Sequence, residues 1–301
     1  LHLLWGDELG ALVAEGPFYL LLDDQGEWIE LLLDEEQARP LGGTLALHGK
    51  RVVIAGDPHP TPSHHAGSRF QVRDIQLEKP RPDKLGLPGY EALAGSQKFV
   101  NILCRFADSP ALTPRPLGWF VPLMGTSFPG LDHYWRESSY GNVDLTGSTT
   151  IGWYDLPQPR AYYVYDQNGD GVPDANLGRL ADDCTLVADP DVVFPNFAGV
   201  NLMFNEILDC CAWGGGRTMT RDGQNRFYPL TWMPPWGWGS QSILAHEMGH
   251  AFGLPHSSGP YGAVYDSRWD VMSGGSNCSP SDATYGCVGV PPVCGAPVYN
   301  V

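Results

Sequence analysis

The chain has 301 residues, enough for one large domain or two smaller ones with a sizeable core. Apolar residues make up 43 % and charged residues 17 %, with 37 Gly, 27 Pro and 10 Trp, which excludes a helical bundle and a disordered chain. A formal net charge of −16 excludes a phosphate-backbone partner, and no apolar run reaches the ~18 residues of a membrane span, so neither a nucleic-acid partner nor a membrane span is expected.

Residues 1–78 alternate short apolar runs with turns, in GPFYLLLDDQGEWIELLL, GTLALHGKRVVIAGD and SRFQVRDIQLE. Asp24-Gln25-Gly26-Glu27 reads as a hairpin tip, and Gly56-Asp57-Pro58 ends a strand. The expectation is a small N-terminal all-β domain, with a barrel as one form of it. His59, His64 and His65 fall in its loop GDPHPTPSHHAG and read as exposed residues. Residues 79–97 are rich in Pro and Gly and read as a linker.

A second domain is expected over residues 98–277, opening with the strand KFVNILCRF. Strands are expected near 98–106, 143–154, 160–165 and 198–204, and helices near 130–139, 175–187 and 240–252. Strands interleaved with helices give an α+β or α/β domain. Residues 278–301 form an irregular, Cys-containing extension. The seven cysteines fall as Cys104, then Cys184, Cys210 and Cys211, then Cys278, Cys287 and Cys294, with no C-x-x-C pair. That usage predicts disulfides in an oxidising compartment and a secreted protein rather than a cysteine metal site. Cys104, inside an apolar strand, is expected to remain a free thiol.

Two further segments carry side chains with chemistry. In YDQNGDGVPDANLG, Asp166, Asn168, Asp170 and Asp174 are oxygen ligands at alternating positions, with Gly169 and Gly171 permitting a tight loop, a pattern that suits Ca2+. Leu177 stands where an EF-hand loop would place its glutamate, and the alternative is a solvated acidic turn. The stretch RFYPLTWMPPWGWG, residues 226–239, is dense in aromatics. It either packs as an apolar shell or presents Tyr228, Trp232, Trp236 and Trp238 to a substrate cleft.

The pattern H-E-x-x-H-x-x-G-x-x-H occurs once, at His246, Glu247, His250, Gly253 and His256. Histidines four apart on a helix share a face, so two imidazoles converge on one metal ion. Glycine enters the left-handed conformation of a helix C-terminus without strain, so Gly253 ends the helix and lets His256 return with a third nitrogen. Three neutral imidazoles and one open position describe a catalytic zinc site, with Glu247 placed as the general base. Ser240 is the expected N-cap of this helix.

The extended motif resembles that of the metzincin metallopeptidases, whose next landmark is a methionine-containing turn beneath the metal. Met272, in SRWDVMSGG, is the matching residue. Some metzincins carry a tyrosine two residues later; Gly274 stands there in this chain. LDHYWRESSYGNVDLTGSTTIGWYDLP, GLPHSSG and WDVMSGG are similar to secreted bacterial members related to immune inhibitor A and, more distantly, gametolysin. The resemblance covers roughly residues 97 to 277 and is absent from the first ninety.

It implies a metzincin-like catalytic domain with an active-site helix, Zn2+ as cofactor, and a secreted endopeptidase acting on protein or peptide substrates that pair with a sheet edge. It also implies synthesis as a zymogen. Residues 1–78 would then be an inhibitory propeptide, or else an accessory binding module. A cysteine block is excluded because no cysteine precedes Cys104, whereas an aspartate block stays open. The competing function is a non-proteolytic extracellular adhesion or structural protein, which would need neither Glu247 nor the three histidines.

Overall fold

The computed structural model describes residues 1–8, 14–25, 27–43, 45–60, 63, 66, 68–78, 93–167, 169–257, 265, 267, 270–273, 281–282 and 286–287. The N-terminal region contains β1 (His2–Glu8), β2 (Ala14–Leu22), β3 (Trp28–Leu32), one helical turn α1 (Glu35–Ala38), β4 (Val52–Pro58) and β5 (Ser68–Leu77). There follow β6 (Gly95–Ser96), β7 (Phe99–Arg105), α2 (Leu117–Phe120), α3 (Leu131–Ser138), β8 (Val143–Asp144), β9 (Thr149–Asp155), α4 (Arg160–Tyr163), β10 (Val164–Tyr165), β11 (Asp174–Ala175) and α5 (Leu177–Ala188). The remainder is β12 (Gly199–Phe204), β13 (Cys211–Arg221), β14 (Gln224–Met233), α6 (Pro235–Trp238), α7 (Gln241–Ala251), β15 (Ser281–Asp282) and β16 (Gly286–Cys287). The molecule is a mixed α+β protein, as its composition and patterning predict.

Ten strands form one sheet in the order β4-β5-β3-β2-β1-β13-β14-β12-β7-β9. The centre is parallel: β7 pairs with β9 and β12, and β12 pairs with β14, all in the same direction. FVNILCR and GVNLMF suit those positions because a strand buried on both faces reads as a continuous apolar run. Alternate residues serve opposite layers. Val100, Ile102, Cys104, Val200 and Leu202 pack with Leu180, Ala181 and Cys184 of α5. Phe99, Leu103 and Met203 pack with Leu244 and Met248 of α7 on the other face.

A polar ladder crosses the centre of the sheet. Asn101 donates to Thr150 (2.9 Å), Asn201 donates to Asn101 (2.9 Å), and Thr231 donates to the Asn201 carbonyl (2.8 Å). Each link joins residues directly opposite in register, so four strands are keyed to one another. A one-residue slip would leave these buried groups unpaired, at ~1–3 kcal/mol each.

The N-terminal strands correct the expectation of a separate barrel. They form an open half of the same sheet, joined where β1 lies antiparallel to β13. Their own apolar cluster contains Leu3, Trp5, Tyr19, Leu31, Leu47, Val72 and Ile75, while Leu4 on the opposite face joins the central core. The expected linker 79–97 falls largely on undescribed residues, but Gly95–Ser96 pairs with Val143–Asp144. The expected strand at 160–165 begins instead as the helical turn α4, because Pro159 sets an extended N-cap for it.

Two imidazoles sit at the junction between the N-terminal strands and the β13–β14 hairpin. His2 stacks on Phe227 (5.1 Å, 6°) and tilts against Trp28, and His48 meets Phe227 edge-on at 5.0 Å. The His48 Nδ1 accepts the Leu3 amide at 3.1 Å. Burial, reinforced by the neighbouring amino group of Leu1, lowers His48 from 6.5 to about 4 and places His2 well below its usual value. Both are neutral in the fold, so the unfolded chain binds more protons below pH 6.5 and stability falls as pH drops toward 4. Tm should decline over that window. His48→Gln, which keeps an acceptor for Leu3 without the titration, should flatten the decline; an unaltered pH profile would remove His48 from this account.

Candidate metal centre

Helix α7 begins where Ser240 takes an extended N-cap conformation, and its Gln241–Ala251 span is buried on nearly every side. The face that carries the histidines is enclosed as well. His250 and Glu247 have 0 % exposure and His246 has 6 %. Gly253, at φ +90°, ends the helix as expected. Its amide donates to the His250 carbonyl (2.8 Å), and the Leu254 amide donates to the Gly249 carbonyl (2.9 Å), the two bonds of a Schellman cap. That turn brings His256 back over the helix.

The three imidazoles meet through their Nε2 atoms. His250 Nε2 lies 3.0 Å from His246 Nε2 and 3.1 Å from His256 Nε2. The other nitrogen of each helical histidine faces a backbone carbonyl: His246 Nδ1 meets the Val271 oxygen, and His250 Nδ1 meets the Leu254 oxygen at 2.8 Å. A carbonyl only accepts, so each Nδ1 carries the proton and each Nε2 presents a lone pair to the common point. Lone pairs held this close repel unless a cation or a proton lies between them. Tetrahedral zinc with Zn–N near 2.1 Å would space its ligands by about 3.4 Å, so a donor set that converges to nearly this spacing suits that ion.

The cap that terminates α7 therefore also orients its second candidate ligand, and the turn at Met272 orients the first. Asp270 builds that turn. Its carboxylate accepts the Met272 amide (2.8 Å) and the Ser257 hydroxyl (2.6 Å), and the Ser273 amide donates to its carbonyl (3.0 Å). The Ser257 amide donates to the Met272 carbonyl at 2.8 Å, tying the residue after His256 to the same turn. The Met272 thioether packs directly on Gly249, where any side chain on the helix would collide with it. The methionine thus packs against α7 at Gly249.

Two residues near the histidines were missed by sequence reasoning. The Tyr265 hydroxyl lies 3.5 Å from His256 Nε2, and its ring faces His246 and His256. Its backbone is left-handed, φ +60°, which side chains other than glycine rarely adopt. No local pattern announces it. Trp5 of β1 stacks flat on His250, with ring centroids 4.9 Å apart and planes within 6°. It lies 241 positions from the motif by the difference of 246 and 5, so only strand pairing could reveal it.

The aromatic stretch is corrected for three of its four residues. Tyr228 and Trp232 lie in the core beneath α5, and the Trp232 indole donates to the Leu177 carbonyl at 2.9 Å. Trp238 lies in the α7-side core and donates to the Phe204 carbonyl at 2.9 Å. They are apolar shell rather than cleft lining: β14 runs inside the sheet between β13 and β12 and is buried from Leu230 onward, and Trp238 sits on α6 in the cluster that contains Leu244 and Met248 of α7. Trp236 is half-buried against the cluster that contains Met272.

Of the expected calcium ligands, Asn168 lies outside the described residues. Asp166 accepts the amides of Gly169 (2.6 Å) and Gly171 (3.0 Å), and Asp170 accepts the Val172 amide (2.7 Å). These carboxylates close the loop on itself, as Asx turns do. Asp166, Asp170 and Asp174 are not drawn together as the three histidines are; among described residues the other compact group is Asp209, Cys210 and Cys211. Its cysteines are joined to each other as a disulfide, so they offer no thiolate.

The expectation of a free Cys104 is overturned: Cys104 of β7 is bonded to Cys184 of α5. Apolar surroundings favoured a thiol, but they equally accommodate a bridge between sheet and helix. Cys278 and Cys294, and the histidines at 64 and 65, lie outside the described residues. Compared with known proteins, the sequence matches no family model and no curated protein.

Proposed function

We propose that the chain is a secreted zinc endopeptidase of the metzincin type, with His246, His250 and His256 as metal ligands and Glu247 as general base. The convergence of three Nε2 lone pairs, two of them fixed by carbonyls on Nδ1, carries this reading. When bound, zinc polarises a carbonyl and lowers the pKa of water. Glu247, between the first two histidines on the helix, is positioned to take the water's proton and hand it to the departing amine. Tyr265 adds a hydroxyl at the same face, suited to hold a substrate oxygen. Two disulfides favour an oxidising compartment and hence secretion. A purely adhesive protein has no use for a buried glutamate between two tautomer-fixed histidines.

The test is casein hydrolysis by purified protein with and without dipicolinate. The expected result is cleavage that stops with the chelator and returns with added zinc. Cleavage insensitive to the chelator would contradict the metal's role.

A further inference from the structure

Adjacent cysteines occur once in the chain, at Cys210 and Cys211, and their sulfurs are bonded to each other. They stand where the loop after β12 enters β13, and Cys211 pairs in register with Glu8 of β1. Cys211 is fully buried in the core on the α5 side of the sheet, whereas Cys210 is exposed. Gly214, which abuts Glu247 and His250, lies three residues farther along the strand, about 10 Å away, and on the opposite face. The cysteine pair is therefore separate from the histidine cluster.

The loop around the pair is held by contacts that do not involve sulfur. Arg160 donates to the carbonyls of Ile207 (2.6 Å) and Leu208 (2.5 Å). The Asp209 carboxylate accepts the Cys211 amide and the Trp213 indole on Oδ1, both at 3.0 Å, and the Ala175 amide on Oδ2 at 2.9 Å. A carboxylate has about four acceptor positions, so three donors fix its orientation and leave one position for a cation. One of its oxygens and the two sulfurs all lie within 4.8 Å of one another. We propose that Asp209, Cys210 and Cys211 form a redox-gated metal site, closed as the disulfide and open to a thiophilic cation once a dithiol has reduced it. A thiolate of the reductant attacks the exposed Cys210 sulfur, the bond between the protein sulfurs breaks, and Cys211 departs as a thiolate. The second thiolate of the reductant then attacks the mixed disulfide. This frees Cys210 as a thiolate and leaves the reductant as its own disulfide, so two electrons pass to the protein. Two thiolates with a carboxylate suit a zinc, cadmium or copper(I) ion, because soft sulfur ligands select such metals. Cys104 and Cys184, fully buried between β7 and α5, are shielded from the same reductant.

The full chain is treated with dithiothreitol under native conditions and freed of it by anaerobic gel filtration. Iodoacetamide labelling with peptide mapping should find Cys210 and Cys211 modified and Cys104 and Cys184 still joined. Titration with Cd2+ should then give the ultraviolet charge-transfer band of cadmium on thiolate. The band should exceed that of a Cys210→Ser, Cys211→Ser double variant treated alike, in which every other cysteine is the same. Imidazole ligands give no such band, so the histidine cluster does not contribute. Asp209→Asn keeps an acceptor for the Cys211 amide and the Trp213 indole. It should be reduced and labelled as the parent is, with the same far-ultraviolet circular dichroism, yet hold cadmium about tenfold or more weakly. Three results would each overturn the proposal: a pair that opens only when Cys104–Cys184 opens, a cadmium band no larger than that of the double variant, or an Asp209→Asn protein that binds cadmium as tightly as the parent.

Discussion

Glu247→Gln is expected to retain its metal and its fold while losing peptide hydrolysis by about 10²–10⁴-fold, the usual contribution of general-base catalysis. The side chain is fully buried on α7, next to the backbone of Gly214, so a substitution of nearly equal volume disturbs little. Glutamine keeps the hydrogen-bonding shape but cannot accept a proton at neutral pH. Metal content by elemental analysis and kcat on an unstructured peptide separate the two effects. If metal and activity fell together, Glu247 would be structural; full activity would remove it from the chemistry.

Replacing Cys104 and Cys184 together by alanine is expected to cost about 4.5 kcal/mol of stability in the chain-entropy view of a loop closed over 80 residues. Both cysteines are fully buried, one in the central strand β7 and one in α5, so the bridge staples the sheet to the layer opposite α7. The urea midpoint should drop steeply for the double variant. The imidazole cluster lies on the other face, so zinc affinity measured well below the new midpoint should be unchanged. An unshifted midpoint would mean that packing alone holds α5 in place.

The helices and parallel strands of the C-terminal half were legible because their patterns are local. Apolar runs give β7 and β12, and the spacing of histidines and glycine gives α7 and its cap. The β13–β14 hairpin was passed over, although Asp222-Gly223 is a strong hairpin signal, and both residues take positive φ. The glycine run 214–216 and the aromatics of 226–233 obscured the alternation on either side. Attention to that hairpin would have moved Tyr228 and Trp232 from cleft to core.

Long-range joins were not legible. Nothing in residues 1–8 states that they pair with 211–215, so a sheet shared by the two halves of the chain was not foreseen. Cys104 pairs across 80 residues, and sequence offers no rule for choosing among the possible pairings. The histidine cluster was readable because four of the five parts of its sequence motif sit on one helix or its cap. The parts that orient it, Asp270, Tyr265 and Trp5, arrive from elsewhere.

The central claim is that three imidazoles share one zinc ion. Protein saturated with zinc, freed of excess by gel filtration and measured by elemental analysis should hold about one zinc per chain, as a three-histidine catalytic site does. His250→Ala, at the middle of the cluster, should lose it while keeping the wild-type far-ultraviolet circular dichroism. Wild-type protein without bound zinc, or a His250→Ala variant that retains it fully, would contradict the account.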